Sequence, residues 1–322
     1  PFWQVLRFIA PGLMAGNGGL LKHASNVPQC ALAIEQVLRD AGFPPDLFRS
    51  LLLGVAETQA LIDDPRIAAV TLTGSEAAGR AIAAAAGRAL KPAVLELGGS
   101  DPFIVLADAD LDLTAQVAAQ SRCINAGQSC IAAKRFIVVH AVHDTFVERL
   151  VAAMGAIKFG DPLAADTRIG PLARPDLRSE VHQQVVTAIE QGARCRLGGA
   201  VPPGAGAYYP PTVLTEVTAG NIAYSEEIFG PVAAVIRARD TGDAIRIAND
   251  TRFGLGASLW TRDLALAEEL APRLEAGAVF VNGMVKSDPR LPFGGVKASG
   301  FGRELGLEGI RAFVNVKTVW IR

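Results

Sequence analysis

The chain has little of the features that most quickly mark a special environment. Its 322 residues include only four cysteines, too few for the disulfide framework of a small secreted fold and better suited to thiols kept reduced in the cytoplasm. Lys and Arg (31) nearly cancel Asp and Glu (32), leaving a net charge of −1, so neither a polyanion nor an anionic membrane surface is implied as partner. Aromatic residues make up 6% and nowhere interleave with a basic cluster, which argues against nucleic acid. The four histidines, His23, His140, His143 and His182, lack ligand spacing, and no metal site is expected. No apolar run approaches the ~20 residues of a membrane span. Arg7 interrupts the apolar stretch at the start, where no signal-peptide pattern is read. A soluble, cytoplasmic protein is the expectation. The first position also lacks methionine: the chain opens on Pro1-Phe2-Trp3-Gln4 within what reads as a structured element, so an N-terminally incomplete chain is expected.

What is present is an ordinary globular balance, half hydrophobic and one-fifth charged, at a length that holds two domains. Helix-like spacing over Phe2 to Ala15 ends at Gly16-Asn17-Gly18-Gly19, and Pro28 opens a second helix that stops at Gly42-Phe43-Pro44. Strands are expected at Leu20–His23, Leu51–Gly54, Ile67–Thr73, Ala93–Leu97, Phe103–Leu106 and Phe136–Val139. Helices are expected at Glu57–Asp63, from Gly79 to Leu90, at Asp110–Cys123, His143–Ala156, Arg178–Gln191 and Asp243–Asn249. Ala200 to Pro211 reads as a Gly/Pro-rich surface loop. This alternation predicts an α/β fold with parallel sheets and a boundary near Gly98-Gly99. Phe313 to Ile321 alternates with period two and predicts an exposed strand.

Four features carry potential chemistry. Cys130 follows Asn125, Gly127, Gln128 and Ser129, a small, amide-bearing setting in which a thiol could attack and its own N–H could help hold an oxyanion. Glu96 is a lone carboxylate in Ala93-Val94-Leu95-Glu96-Leu97-Gly98-Gly99, suited to a base and equally to a buried structural pair. Gly74-Ser75-Glu76-Ala77-Ala78-Gly79 stands between a strand and a helix, where a capped N-terminus offers amides to a phosphate; in isolation it is also simply a capped helix. Lys22, at a strand end, could meet a ribose or phosphate or only solvent. Cys30, Cys123 and Cys195 read as packing residues.

Together these motifs resemble the aldehyde dehydrogenase superfamily along the whole chain. The resemblance runs through Phe2-Trp3-Gln4…Pro11, Ala15-Gly16-Asn17, Lys22, Gly74-Ser75…Gly79, Glu96-Leu97-Gly98-Gly99 and Asn125-x-Gly127-Gln128-x-Cys130. It continues through Glu226-Glu227-Ile228-Phe229-Gly230-Pro231 and Pro292-Phe293-Gly294-Gly295-x-Lys297-x-Ser299-Gly300. It implies two parallel-sheet α/β domains: a Rossmann-like cofactor domain (1–98) and a catalytic domain (99–307), followed by a C-terminal oligomerisation strand (308–322). It implies NAD or NADP as cofactor, a small-molecule aldehyde as substrate, and a homodimer or homotetramer. Cys130 would be the nucleophile and Glu96 the base. Lys22, Ser25, Gly74, Ser75, Gly79, Leu97, Glu227 and Phe229 would bind the cofactor. Ser25 stands where strictly NAD-dependent members often carry a Glu that repels a 2′-phosphate, which leaves NADP open.

Lys22-His23-Ala24-Ser25-Asn26-Val27-Pro28, Leu97-Gly98-Gly99-Ser100-Asp101-Pro102 and Gly300-Phe301-Gly302-Arg303-Glu304-Leu305 resemble the bacterial succinate-semialdehyde branch. There Arg7 and Ser287 would hold the substrate's far carboxylate. An Arg common six residues before the nucleophile is Ile124 here, with Arg122 two further back. The family motif Pro-Trp-Asn-Phe-Pro would place its oxyanion Asn two residues before Pro1, and loss of such a donor costs about 100- to 1,000-fold in rate. A non-catalytic fragment that binds nucleotide or a partner is therefore the alternative for the chain as it stands, with a CoA-using acylating enzyme as a weaker third reading.

Overall fold

The computed structural model describes all 322 residues, Pro1–Arg322. The chain forms two compact units: Pro1–Leu97 with Ser287–Gly295 and Gly300–Arg322, and Gly98–Lys286 with Val296–Ser299.

In the first unit α1 (Trp3–Met14) places Val5 and Ile9 against Ile34 of α2 (Pro28–Asp40) and Phe48 of β2 (Phe48–Ser50). Pro28 occupies the first turn of α2, where its missing N–H costs nothing. β1 (Gly19–Leu21) pairs in parallel with β2. The strand expected at Leu51–Gly54 lies a few residues early, because Phe48 is the residue that buries while Leu52 is 63% exposed. A short helix, α3 (Thr58–Asp63), precedes β3 (Val70–Thr73); α4 (Glu76–Arg88) and the parallel strand β4 (Ala93–Glu96) follow. Ser75 caps α4 by accepting from the Ala78 N–H at 3.3 Å.

The second unit is built on a seven-stranded sheet. In chain order it contributes β5 (Pro102–Val105), α5 (Leu111–Cys123), β6 (Arg135–Val139), α6 (His143–Gly155), α7 (Pro175–Glu190), β7 (Arg194–Leu197) and β8 (Thr212–Thr215). The short α8 (Ile222–Ser225), β9 (Val232–Ala238), α9 (Thr241–Asn249), β10 (Gly256–Trp260), α10 (Leu264–Leu270) and β11 (Ala278–Val281) complete it. The strand order is β11-β10-β5-β6-β9-β8-β7, parallel except for the antiparallel edge strand β7. β5, β6 and β10 are buried along their whole length, as parallel strands covered on both faces must be. Asp110, Asp240 and Asp263 cap α5, α9 and α10 with their carboxylates. No helix is long and apolar enough to cross a membrane.

The chain then returns to the first unit. β12 (Gly300–Phe301) lies antiparallel to β4 and α11 (Gly306–Arg311) follows. Ser287–Gly295 and everything from Gly300 onward belong to the first compact unit, whereas the expectation grouped 99–307 as a catalytic domain. The expected strand at Phe313–Ile321 is absent. Val316, Val319, Trp320 and Ile321 are 72–88% exposed, and an extended segment without a ladder partner is not a strand.

Candidate active site

Cys130 sits in the connection from α5 to β6. Asn125 (φ 52°), Ala126 (φ 56°) and Gly127 (φ 75°) are three consecutive left-handed residues, a run costly for side chains other than Asn or Gly. Hydrogen bonds hold it: Gln128 N–H to the Asn125 carbonyl at 3.0 Å, the Asn125 amide to the Gln128 carbonyl at 3.0 Å, and Arg122 Nη2 to the Gly127 carbonyl at 2.6 Å. A Cβ on Gly127 would stand 2.2 Å from the Gly230 carbonyl carbon, so the Gly-Gln and Phe-Gly-Pro motifs pack backbone to backbone. Arg122 is fully buried and is a strut for this turn, not a substrate contact. Cys123 is buried, and burial pushes its thiol up to about 12. Cys130 is half-buried, and no disulfide joins any of the four cysteines.

The glycines after Glu96 explain themselves by what they admit. A Cβ on Gly98 would lie 2.4 Å from Glu227 Oε2, and one on Gly99 would lie 2.7 Å from the Cys130 carbonyl oxygen. Gly99 N–H donates to Glu227 Oε1 at 3.1 Å. The structure thus brings Cys130, Gly99 and Glu227 together, with the Phe229 ring 39% exposed beside them. These residues precede the strands they serve: Gly98–Asp101 leads into β5, Cys130–Lys134 into β6, Gly230-Pro231 into β9. The cluster therefore lies at the N-terminal edge of the parallel sheet, opposite to the usual ligand crevice of open α/β sheets.

Glu96 closes β4 in the first unit, opposite Thr73 of β3 and Gly300 of β12. It is 1% exposed and neither carboxylate oxygen has a hydrogen-bond partner. Burial first, and then the neighbouring Glu304 carboxylate, push its carboxyl up to about 8, against the pull of Arg7 and Arg303. Gly294 gives it room, since a Cβ there would come within 2.6 Å of Glu96 Oε1.

Arg7 is buried and bonded within the first unit. It is 4% exposed; its Nε donates to Glu304 Oε2 at 2.5 Å, its Nη2 to Thr73 Oγ1 at 3.3 Å, and its guanidinium lies 4.3 Å from the Phe293 ring centroid. The expected substrate anchor thus pairs with the buried Glu304 carboxylate. Ser287 is half-buried and its Oγ is buried without a partner.

The remaining expected cofactor residues lie in the first unit. Lys22 is half-buried just past β1, Ser25 is exposed, and residues 22–27 contain no carboxylate. Gly74 and Ser75 are exposed at the start of α4, whose N-terminal amides suit a phosphate. A Cβ on Gly79 would stand 2.4 Å from Leu97 Cδ1, so the Leu97 side chain packs directly on Gly79. These features fit a dinucleotide: an exposed helix N-terminus for a phosphate, and a lysine past β1 with no carboxylate among residues 22–27.

The sequence reading passed over Lys134, Asp101 and Glu304, all buried and charged. The available signal was a charge set against an apolar strand, as in Ala133-Lys134-Arg135-Phe136.

The aldehyde dehydrogenase family model matches residues 1–319. A protein of a Synechocystis species described as a probable succinate-semialdehyde dehydrogenase (NADP(+)) is 57% identical over 321 residues, spanning 100% of this chain and 71% of that protein. The succinate-semialdehyde dehydrogenase (NADP(+)) of Mycobacterium leprae is 54% identical, spanning 100% of this chain and 70% of that protein. The crystal structure of succinic semialdehyde dehydrogenase from Streptococcus pyogenes in complex with NADP+ superposes with a TM-score of 0.98 at 38% identity, spanning 100% of this chain and 70% of that one. The chain belongs to the aldehyde dehydrogenase family.

Proposed function

We propose that the chain oxidises succinate semialdehyde to succinate with NADP as hydride acceptor and Cys130 as nucleophile. The observation that carries the reading is Glu96: a buried carboxyl with two unpartnered oxygens, pushed up to about 8, so that once ionised it is basic enough to take a proton from water. The names of the relatives supply the substrate, and Ser25, in place of a repelling carboxylate, supports NADP.

The Cys130 thiolate adds to the aldehyde carbon and forms a thiohemiacetal, its own backbone N–H helping to hold the oxyanion. A bound nicotinamide would supply the hydride acceptor, and loss of hydride from that carbon leaves a thioester on Cys130. Glu96 then takes a proton from water as the water attacks the thioester, and the Cys130 thiolate leaves. The balance is aldehyde, NADP+ and water to carboxylate, NADPH and protons. Gly74, Ser75 and Lys22 hold phosphate and ribose, with Gly79 and Leu97 shaping that seat. Glu227 and Phe229 hold the nicotinamide end. The Ser287 hydroxyl is the proposed contact for the far carboxylate. A nucleophile that must remain a thiol places the reaction in the reducing cytoplasm, and the working species is a homodimer or homotetramer.

The test compares NADPH formation from succinate semialdehyde in the parent chain, Cys130→Ser and Cys195→Ala. The first substitution is expected to abolish it and the second to leave it near the parent value. Equal activity in the two variants would remove Cys130 from the reaction.

A further inference from the structure

Beneath the Cys130 turn lies an ammonium that the reaction above leaves without a task. Lys134 is 3% exposed, and burying a lysine costs several kcal/mol unless its charge is answered. Its Nζ donates to the carbonyls of Ser129 at 3.1 Å, Cys130 at 3.0 Å and Ala132 at 3.2 Å. An ammonium has three N–H donors, so the turn takes all of them. Glu227 Oε1 stands 3.3 Å away and answers the charge without claiming a donor. That same oxygen accepts from Gly99 N–H, and Gly99 in turn packs against the Cys130 carbonyl. The Phe229 ring centroid is 6.0 Å from Nζ.

The charged and titratable groups facing Lys134 are Glu227, Arg122, Asp101 and Cys130. Burial pushes the ammonium down, and Glu227 is the largest influence holding it up. Asp101 is itself buried and pushed up to about 7. Three converging carbonyls repel one another without a cation between them. Arg122 and the Asn125–Gln128 bonds hold residues 125–128, whereas the carbonyls of Ser129, Cys130 and Ala132 converge on Lys134.

We propose that Lys134 is a positioning residue for the reaction, fixing the Cys130 turn through three carbonyls, coupling it to the Glu227 carboxylate and keeping a cation beside the nucleophile. This rests on the reading of Cys130 as nucleophile and Glu227 as cofactor contact.

The test labels the folded full chain with iodoacetamide across a range of pH and reads each cysteine by peptide mass spectrometry, in the parent, Lys134→Met and Lys134→Arg. Buried Cys123 reports whether the fold has opened. With Cys123 protected, Lys134→Met is expected to raise the pH midpoint of Cys130 labelling by about one unit or more, while the midpoints of Cys30 and Cys195 stay. Lys134→Arg keeps the charge, but its planar fork cannot reproduce the three-carbonyl clamp. It is expected to return most of the midpoint and still lower kcat for NADPH formation about tenfold or more. Superimposable Cys130 profiles in the parent and the Met variant would overturn the proposal. Should Met at 134 expose Cys123, the Arg variant decides: a protected Cys123 with reduced kcat upholds the proposal, and parental kcat overturns it. A Cys130→Ser chain that still forms NADPH would instead refute the proposed function, whereas the labelling comparison needs no turnover and judges Lys134 separately.

Discussion

Glu96, Glu304 and Arg7 form a buried set in which two carboxylates share one guanidinium, and of the two carboxylates Arg7 bonds directly only to Glu304. Glu96 therefore keeps the raised carboxyl, and its proton leaves only as pH rises through about 8. In the proposed reaction the rate of thioester hydrolysis should climb through that range. Glu304→Gln removes the like charge that pushes Glu96 up and leaves Arg7 pulling it down, so the midpoint should move to lower pH. A pH profile of steady-state NADPH formation checks this, and an unmoved or higher midpoint refutes it. Arg7 itself carries a second prediction. Arg7 is the ion-pair partner of Glu304, so Arg7→Ala leaves Glu304 buried and uncompensated, which should cost about 3–5 kcal/mol in urea unfolding. It should also change KM for succinate semialdehyde and for butanal by similar factors. A selective loss for the acidic aldehyde would restore Arg7 to the substrate.

At the scale of elements, the sequence is legible wherever a segment announces itself by period or by a cap. The first helix, the Pro28 helix, the Ser75-capped helix and the strand before Glu96 lie within a few residues of their expected places. β10 was not legible because Gly256-Ala257-Ser258-Leu259-Trp260 lacks the β-branched composition of a buried strand; the sheet on both sides makes it one. β12 was not legible because two residues, Gly300 and Phe301, carry no period at all. Its glycine is dictated by tertiary approach: at φ +112° a Cβ on Gly300 would lie within 1.9 Å of the Leu95 carbonyl oxygen. The candidate site shows the same division. The motifs around Cys130 and Glu96 could be read as chemistry, and Gly98-Gly99 as part of a signature. That these glycines exist to admit the Glu227 carboxylate and the Cys130 carbonyl is a statement about packing that no single sequence contains. The Arg7–Glu304 pair was illegible for the same reason, since its two members lie 297 positions apart.

For the molecule as a whole, the feature that its own packing leaves unresolved is the segment after α11. Phe313 is tied in through its ring against Phe8 and its carbonyl to Asn17. Beyond it Val316 (88% exposed), Val319 (72%), Trp320 (85%) and Ile321 (88%) present apolar side chains to solvent. Scattered exposed hydrophobics need no explanation, but a contiguous run of them marks an interaction site. Extended backbone with its N–H and C=O groups unladdered is a template for pairing with another chain. A net charge of −1 offers little repulsion between copies. The segment is therefore the candidate surface for the proposed homo-oligomer, by adding a strand to a second copy. Val316→Lys with Ile321→Lys sets a charge on each side of the run while leaving Phe313 and the body of the fold untouched. The parent is expected to sediment as a dimer or tetramer and the double variant as a monomer with unchanged far-UV circular dichroism. A parent that sediments as a monomer, or a double variant that keeps the parent's sedimentation coefficient, would show that this segment is not the interface.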